Sequence, residues 1–277
     1  MGKLIDFLNK KSKALWIESG EYCSQLLAGG NPPLLDGTEY ISWHTKSQSL
    51  VNSDVATFDA LPVIKGWLES NAELLEVMAA KKRATLPLKR LLADEKLRAH
   101  LLAIVKGLRS SYSGRPLVLQ IPSPHVWINE SYRAAHGITP EVDGDAIDGA
   151  SVYVADFLRC FSDSGLDGVL LWETEDTSAD LRETLGLYQS VFNVAAKYRW
   201  DLGIKLPRGC PEQPGFDQLQ FVIARENIPG LPTFKDLSDE FWGSDTALSA
   251  IAGEYFYLSI PVGSIPETVL TKLSSIK

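Results

Sequence analysis

The feature that most constrains this chain is a series of eight short apolar runs, most of them separated by longer stretches of helical pattern. The runs are Ala14 to Ser19, Tyr40 to Thr45, Asp54 to Asp59, Pro116 to Ile121, Gly168 to Glu173, Leu202 to Leu206, Leu219 to Ala224 and Tyr255 to Ile260. Several are almost continuously apolar, as expected of parallel strands buried on both faces. The longest intervening region, Leu61 to Arg109, predicts at least two helices broken near Thr85 and Pro87, because proline removes a helix donor and clashes with the preceding turn. Asp145 to Phe161 reads as a helix ended by Ser164 and Gly165. Thr177 and Ser178 offer an N-cap, with Asp180 close behind, to a helix running through Tyr198. Ile265, Pro266 and Glu267 open a last helix.

Eight strands with interposed helices in 277 residues form the pattern of an α/β protein, a (β/α)8 TIM barrel with residues 1–277 as a single domain. The barrel is expected to be irregular, since little helix separates the second and third runs. An open doubly wound sheet would carry a glycine-rich phosphate turn after its first strand, and Glu18-Ser19-Gly20-Glu21 is not one. The turn cluster Gly29-Gly30-Asn31-Pro32-Pro33 has no strand directly before it.

Composition narrows the partners. A formal net charge of −8 argues against a nucleic-acid surface, which needs a basic stripe to neutralise phosphates. The one basic run, Lys81, Lys82, Arg83, Lys89 and Arg90, falls among Glu73, Glu76 and Asp94 and reads as a solvated helix face. No apolar run reaches the roughly 18 residues of a membrane-spanning helix, and the first residues lack the apolar core of a secretory signal. Cys23, Cys160 and Cys210 are widely spaced and form neither a disulfide framework nor a metal knuckle, so a reducing, cytoplasmic location is expected.

Chemistry in such a barrel belongs where the strands end, because the βα loops converge there over a packed core. The first run ends in Glu18, Ser19 and Glu21; the second in Trp43, His44 and Lys46; the third in Asp59. The fourth runs into a segment holding His125 and Trp127, and the fifth into Trp172, Glu173, Glu175 and Asp176. The sixth ends in Lys205 and Arg208, the seventh in Arg225, Glu226 and Asn227, and the eighth in Ser259. Glu173 and Glu175 share one side of an extended chain, so both are expected to face the mouth, where paired carboxylates would split their pKa values into an acid and a base. The competing expectation is a salt bridge between one of them and Lys205. His125, held between Pro124 and Trp127, is the candidate imidazole, whereas His100 and His136 read as structural. No HxH, HxxxH, HExxH or CxxC spacing exists, so no cofactor is evident, and a zinc site would have to gather its ligands from separate loops. No GxSxG nucleophile elbow is present.

Three segments carry a resemblance: Leu119-Gln120-Ile121-Pro122-Ser123-Pro124, Asp167-Gly168-Val169-Leu170-Leu171-Trp172-Glu173 and Phe221-Val222-Ile223-Ala224-Arg225-Glu226. By these motifs and the order of its elements the chain resembles the TIM-barrel superfamily of uroporphyrinogen decarboxylase and cobalamin-independent methionine synthase. Two departures qualify what this implies. The methionine-synthase branch carries a His-x-Cys zinc pair where this chain reads Gly203-Ile204-Lys205-Leu206-Pro207-Arg208, and the decarboxylases carry an arginine-rich segment where it reads Glu18-Ser19-Gly20-Glu21-Tyr22. The resemblance therefore implies a divergent member working on another small molecule.

The expected function is a cofactor-independent lyase, of the decarboxylase or carbon–carbon/hydration type, acting on a small organic acid or aromatic compound. His125, Glu173 and Glu175 would move protons, and Lys205 or Arg225 would hold a carboxylate or oxyanion. Trp43, Trp127 and Trp172 would form apolar walls, with Glu18, His44, Asp59 and Glu226 completing the substrate site. Three alternatives stand beside it: a Schiff-base lyase using Lys205, a zinc-dependent methyl or alkyl transferase, and a non-catalytic binding subunit. The expected partner is a small molecule, with no nucleic acid and no membrane, and apolar exposure in the last helical regions would permit a homodimer.

Overall fold

The computed structural model describes residues 3–11, 13–175, 181–207, 216–243 and 254–276. Its strands are β1 (Lys13–Glu18), β2 (Ala56–Asp59), β3 (Leu117–Pro122), β4 (Gly168–Trp172), β5 (Asp201–Lys205), β6 (Phe221–Ala224), β7 (Thr233–Asp236) and β8 (Glu254–Ser259). Every ladder is parallel, and the sheet runs β1-β8-β7-β6-β5-β4-β3-β2. This is a nearly closed (β/α)8 TIM barrel in one domain. The helices are α1 (Lys3–Leu8), α2 (Gly20–Ala28), α3 (Gly37–Val51), α4 (Ala60–Glu69), α5 (Ala72–Ala79), α6 (Leu86–Leu92), α7 (Glu95–Ser111), α8 (Pro124–His136), α9 (Gly144–Arg159), α10 (Leu181–Gly186), α11 (Gln189–Tyr198), α12 (Ser238–Gly243) and α13 (Pro266–Ser274).

Strand parity sorts the apolar residues into two sets. Ala14, Trp16, Val55, Val118, Leu170, Phe221, Ile223, Phe234 and Tyr257 pack together inside the barrel. Their neighbours in sequence, among them Phe58, Leu119, Ile121, Val169, Leu171, Ile204 and Val222, pack outward against the helices. Strands β3, β4 and β6 are thus buried on both faces, which is why their runs look continuously apolar. Phe221 takes axial space that β5 leaves vacant, since a Cβ on Gly203 would lie 2.1 Å from its ring. At the strand N-termini α1 lays Leu4, Ile5 and Leu8 into the same inner cluster, and the Ile5 amide donates to Asp201 Oδ2 at 3.0 Å.

No ladder joins β1 to β2; the seam is closed by side chains together with a backbone hydrogen bond. The Asp54 carboxylate accepts from the Leu15 amide at 2.8 Å and pairs with Lys11, while the Asp54 amide donates to the Leu15 carbonyl at 2.8 Å. Ser53 Oγ accepts from the Ile17 amide at 2.9 Å, and Trp16 Nε1 donates to Thr57 Oγ1 at 2.7 Å inside the barrel.

Two strand expectations are corrected. Tyr40 to Thr45 lies inside α3, where Tyr40, His44, Ser47, Gln48 and Val51 are buried at helical spacing and Asp36 caps the Thr38 and Glu39 amides. The strand missing from the sequence reading is β7, a short Thr-Phe-Lys-Asp run whose outward residues are polar. Lys205 therefore ends the fifth strand, not the sixth. The irregularity moves as well: α2 and α3 separate β1 from β2, and the connection from β6 to β7 carries no helix among the described residues. Leu61 to Arg109 holds four helices, α4 to α7, and the break near Thr85 and Pro87 falls at the start of α6. The proposed cap at Thr177 and Ser178 lies outside the described residues, and the helix to Tyr198 is divided into α10 and α11 around Tyr188.

Candidate active site at the barrel mouth

Continuing the inward parity to the strand C-termini brings Glu18 from β1, Asp59 from β2, Gln120 from β3, Trp172 from β4 and Lys205 from β5 to the mouth, above Tyr257 of β8. Asp59 is the centre of this group. Its Oδ1 caps α4 by accepting from the Leu61 amide at 3.1 Å, and its Oδ2 accepts from Gln120 Nε2 at 3.3 Å. Lys205 Nζ donates to the Tyr257 hydroxyl at 2.8 Å and stands 4.6 Å from the centre of that ring.

The electrostatics single out Asp59 again. Burial, and then the charge of Glu18, push its carboxyl up to about 7, against the Leu61 amide, Lys205 and Gln120, which pull it down. The Tyr257 hydroxyl is raised well above its ordinary range by burial and by the surrounding carboxylates Glu18, Asp236 and Asp59, and so stays protonated. Tyr40 on α3 is raised by burial, then by Asp59 and Glu18, which places its hydroxyl in the same field. A carboxyl poised to exchange a proton near neutrality, beside an ammonium and a phenol, is the arrangement that general acid–base chemistry requires.

The other expected residues lie elsewhere. Glu173 is 6% exposed and sits behind β4, where it accepts from the Tyr188 hydroxyl at 2.7 Å and its amide donates to the Lys205 carbonyl at 3.1 Å. Trp172, one residue earlier, is the one that points to the mouth; the single-residue offset moves Glu173 to the helical layer. Glu175 is exposed. His125 is in the first turn of α8, not in a rigid loop: Ser123 caps that helix and Pro124 opens it. Trp127 is fully buried on α8 against Phe157 and lines no mouth. Arg225 and Glu226 are exposed in the loop after β6, and Arg225 pairs with Asp239 at the surface. Asp176, Arg208 and Cys210 lie outside the described residues.

Trp43 and His44 belong to the packing between α3 and the barrel. Trp43 packs beside Tyr40. His44 Nε2 donates to the Thr57 carbonyl at 2.8 Å, so its Nδ1 is the acceptor for the Tyr112 hydroxyl at 2.8 Å. Burial lowers its pKa to about 4, consistent with a neutral imidazole that ties α3 and α7 to β2.

Gln120, Tyr257 and Tyr40 were not singled out from sequence. Parity would have found the first two, since each lies two residues from another inward position of its strand. Two surface cavities, of about 240 Å³ against the first residues of β7 and β8 and of about 330 Å³ beside the start of β5, hold no such convergence of titratable groups. No group of three or more His, Cys, Asp and Glu side chains is placed to hold a metal ion among the described residues. None of their helices is long and apolar enough to cross a membrane. Fold and site together define a (β/α)8 barrel that gathers Glu18, Asp59, Gln120, Lys205 and Tyr257 at its mouth. No family model and no curated protein matches the chain.

Proposed function

We propose that this chain is a lyase that acts on a small molecule by general acid–base chemistry at the barrel mouth, without a resident cofactor. Asp59 takes a proton from, or returns it to, the reacting carbon or leaving group. Lys205, steadied by Tyr257, holds the oxyanion that develops when a carbon–carbon or carbon–oxygen bond breaks. Trp172 forms an apolar wall, and Glu18 adds to the effect of burial in raising the proton affinity of Asp59. The observation that carries this reading is Asp59 itself, a mouth carboxyl raised to about 7 within the field of a lysine. In this reading the acid–base role first expected of His125, Glu173 and Glu175 passes to Asp59, and the Glu173 amide holds the Lys205 backbone. A decarboxylase-like reaction accords with the superfamily that the strand motifs resemble, and a cytoplasmic location accords with the cysteine usage.

The test is a panel of small oxo, hydroxy and amino acids incubated in D2O and followed by NMR for bond cleavage or deuterium incorporation. Turnover should be abolished in Asp59→Asn and Lys205→Gln while both variants remain folded. Undiminished turnover in Asp59→Asn would overturn the proposal.

A second reading is favoured by the contact of Lys205 Nζ with the Tyr257 hydroxyl, which could relay a proton during Schiff-base formation. Borohydride added during turnover distinguishes the two: a stable mass adduct on Lys205 establishes the imine, and its absence leaves Lys205 as the oxyanion holder.

A further inference from the structure

The mouth has more acceptors than the protein satisfies. Gln120 is 6% exposed, yet its Oε1 has no hydrogen-bond partner among the described residues, while its Nε2 is turned to Asp59. Glu18 Oε2 is likewise buried without a partner among them, and its charge acts on the same Asp59. A buried acceptor left unmade is costly, so such groups are normally met by protein, water or ligand. The charges lean the same way. Glu18, Asp59 and Asp236 all act on Tyr257, and Lys205 is the cation that acts on Asp59. Asp236 is already engaged by the Ser238 amide and hydroxyl, whereas Glu18 and Gln120 have acceptor oxygens to offer.

From this we propose that the substrate of the site carries a protonated amine, whose N–H groups are taken by Glu18 Oε2 and Gln120 Oε1 beside Asp59. The inference rests on the catalytic reading of the mouth and deepens it by naming the substrate class. An ammonium group supplies up to three donors, matching the two unmet acceptors with one donor left for Asp59. It also brings the positive charge that lets Asp59 ionise, so binding of the amine arms the base. Any anionic part of the same molecule falls to Lys205. A purely anionic substrate would instead place charge against Glu18 and leave Gln120 Oε1 unmet.

The experiment uses three probes of equal length, n-butylamine, n-butanol and butyrate, with binding followed by ligand-detected NMR at constant ionic strength near pH 7.5. Butylammonium should bind at least about tenfold more tightly than the other two, the margin of one hydrogen bond to a charged group. Glu18→Gln and Gln120→Met should each weaken it by about tenfold, and thermal unfolding of each variant checks the fold. Glu18→Gln is isosteric and decides the matter should Gln120→Met fail to fold. Calorimetry at pH 6, where Asp59 is protonated before binding, in two buffers of different ionisation enthalpy should show proton release on binding, lost in Asp59→Asn. The groups around Asp59 that set this release are Glu18 on β1, Gln120 on β3, Lys205 on β5, Tyr257 on β8 and Tyr40 on α3.

Tighter binding of butyrate, or butylammonium binding unchanged in Glu18→Gln, overturns the inference. Amine binding that persists while nothing in the panel is turned over removes the catalytic reading and leaves this one. Turnover of an amine-free acid, with no butylammonium binding, does the reverse.

Discussion

The ammonium of Lys205 lies 2.8 Å from the hydroxyl of Tyr257 and 4.6 Å from the centre of its ring, although the two residues come from β5 and β8, strands that share no ladder. Only closure of the sheet brings them together. The contact puts the lysine head group over the barrel axis, where its charge reaches Asp59 on β2.

The titration of Asp59 should therefore respond in opposite directions to its two charged neighbours. Its midpoint, about 7 in the wild type, should rise when Lys205→Met removes the cation and fall when Glu18→Gln removes the anion. Carboxyl-carbon NMR titration measures both. Shifts of the same sign, or a wild-type midpoint near 4, would show that these charges do not meet at the mouth.

Stability should carry two opposed pH dependences. Asp59 is raised from 3.8 to about 7, so between those values the folded chain keeps a proton that the unfolded chain has released, and stability falls as pH rises. His44 is lowered from 6.5 to about 4, so in that window the unfolded chain holds the extra proton and stability rises with pH. The two slopes oppose each other from about pH 4 to 6.5, and above that range only the Asp59 slope remains. Asp59→Asn should stabilise the protein at pH 8 by up to about 4 kcal/mol, with no gain at pH 3.5. It should also unmask the His44 slope, about 3 kcal/mol lost on acidification from pH 6.5 to 4. Urea unfolding across pH checks both, and an Asp59→Asn chain no more stable at pH 8 than the wild type would contradict the raised carboxyl.

The β1–β2 seam should depend on one carboxylate. Asp54→Ala leaves the Leu15 amide without its acceptor and should cost about 1–3 kcal/mol, whereas Asp54→Asn keeps an oxygen in place and should cost less. The half-exposed pairing with Lys11 adds little, since such pairs are worth about 0–1 kcal/mol. Hydrogen exchange at the Leu15 amide should accelerate in the alanine variant before the rest of the barrel responds. Equal unfolding free energies for the two variants would place the closure elsewhere along the seam.

The elements that could be read from sequence were those whose burial is uniform along their length. Strands β3, β4 and β6 are buried on both faces, and their apolar runs announce them. Tyr40 to Thr45 misled because aromatic and β-branched residues cluster there, as in a strand. The contrary signal was local and present: Asp36 before Gly37-Thr38-Glu39 is a helix N-cap, and Tyr40, His44, Ser47 and Val51 repeat at helical spacing. β7 escaped notice because it is four residues long, with Phe234 facing inward and Lys235 outward.

Candidate residues followed the same rule. Glu18, Asp59, Trp172 and Lys205 could be named because they follow apolar runs, which is a property of position along the chain. Glu173 was assigned to the wrong side because the face of a strand end alternates with each residue, and only the packed structure sets its phase. Gln120 and Tyr257 went unseen because a polar residue inside a strand has no meaning until its neighbours across the barrel are known.

By itself, then, the sequence determined the class of fold, the positions of most strands and the supply of titratable groups at their ends, since burial on both faces writes itself into composition. The tertiary structure alone decided which of those groups share a field. Asp59 becomes an acid near neutrality because the fold buries it and sheet closure brings the charge of Glu18 to it, outweighing the opposing pull of Lys205, and both burial and Coulomb interaction depend on distance through space.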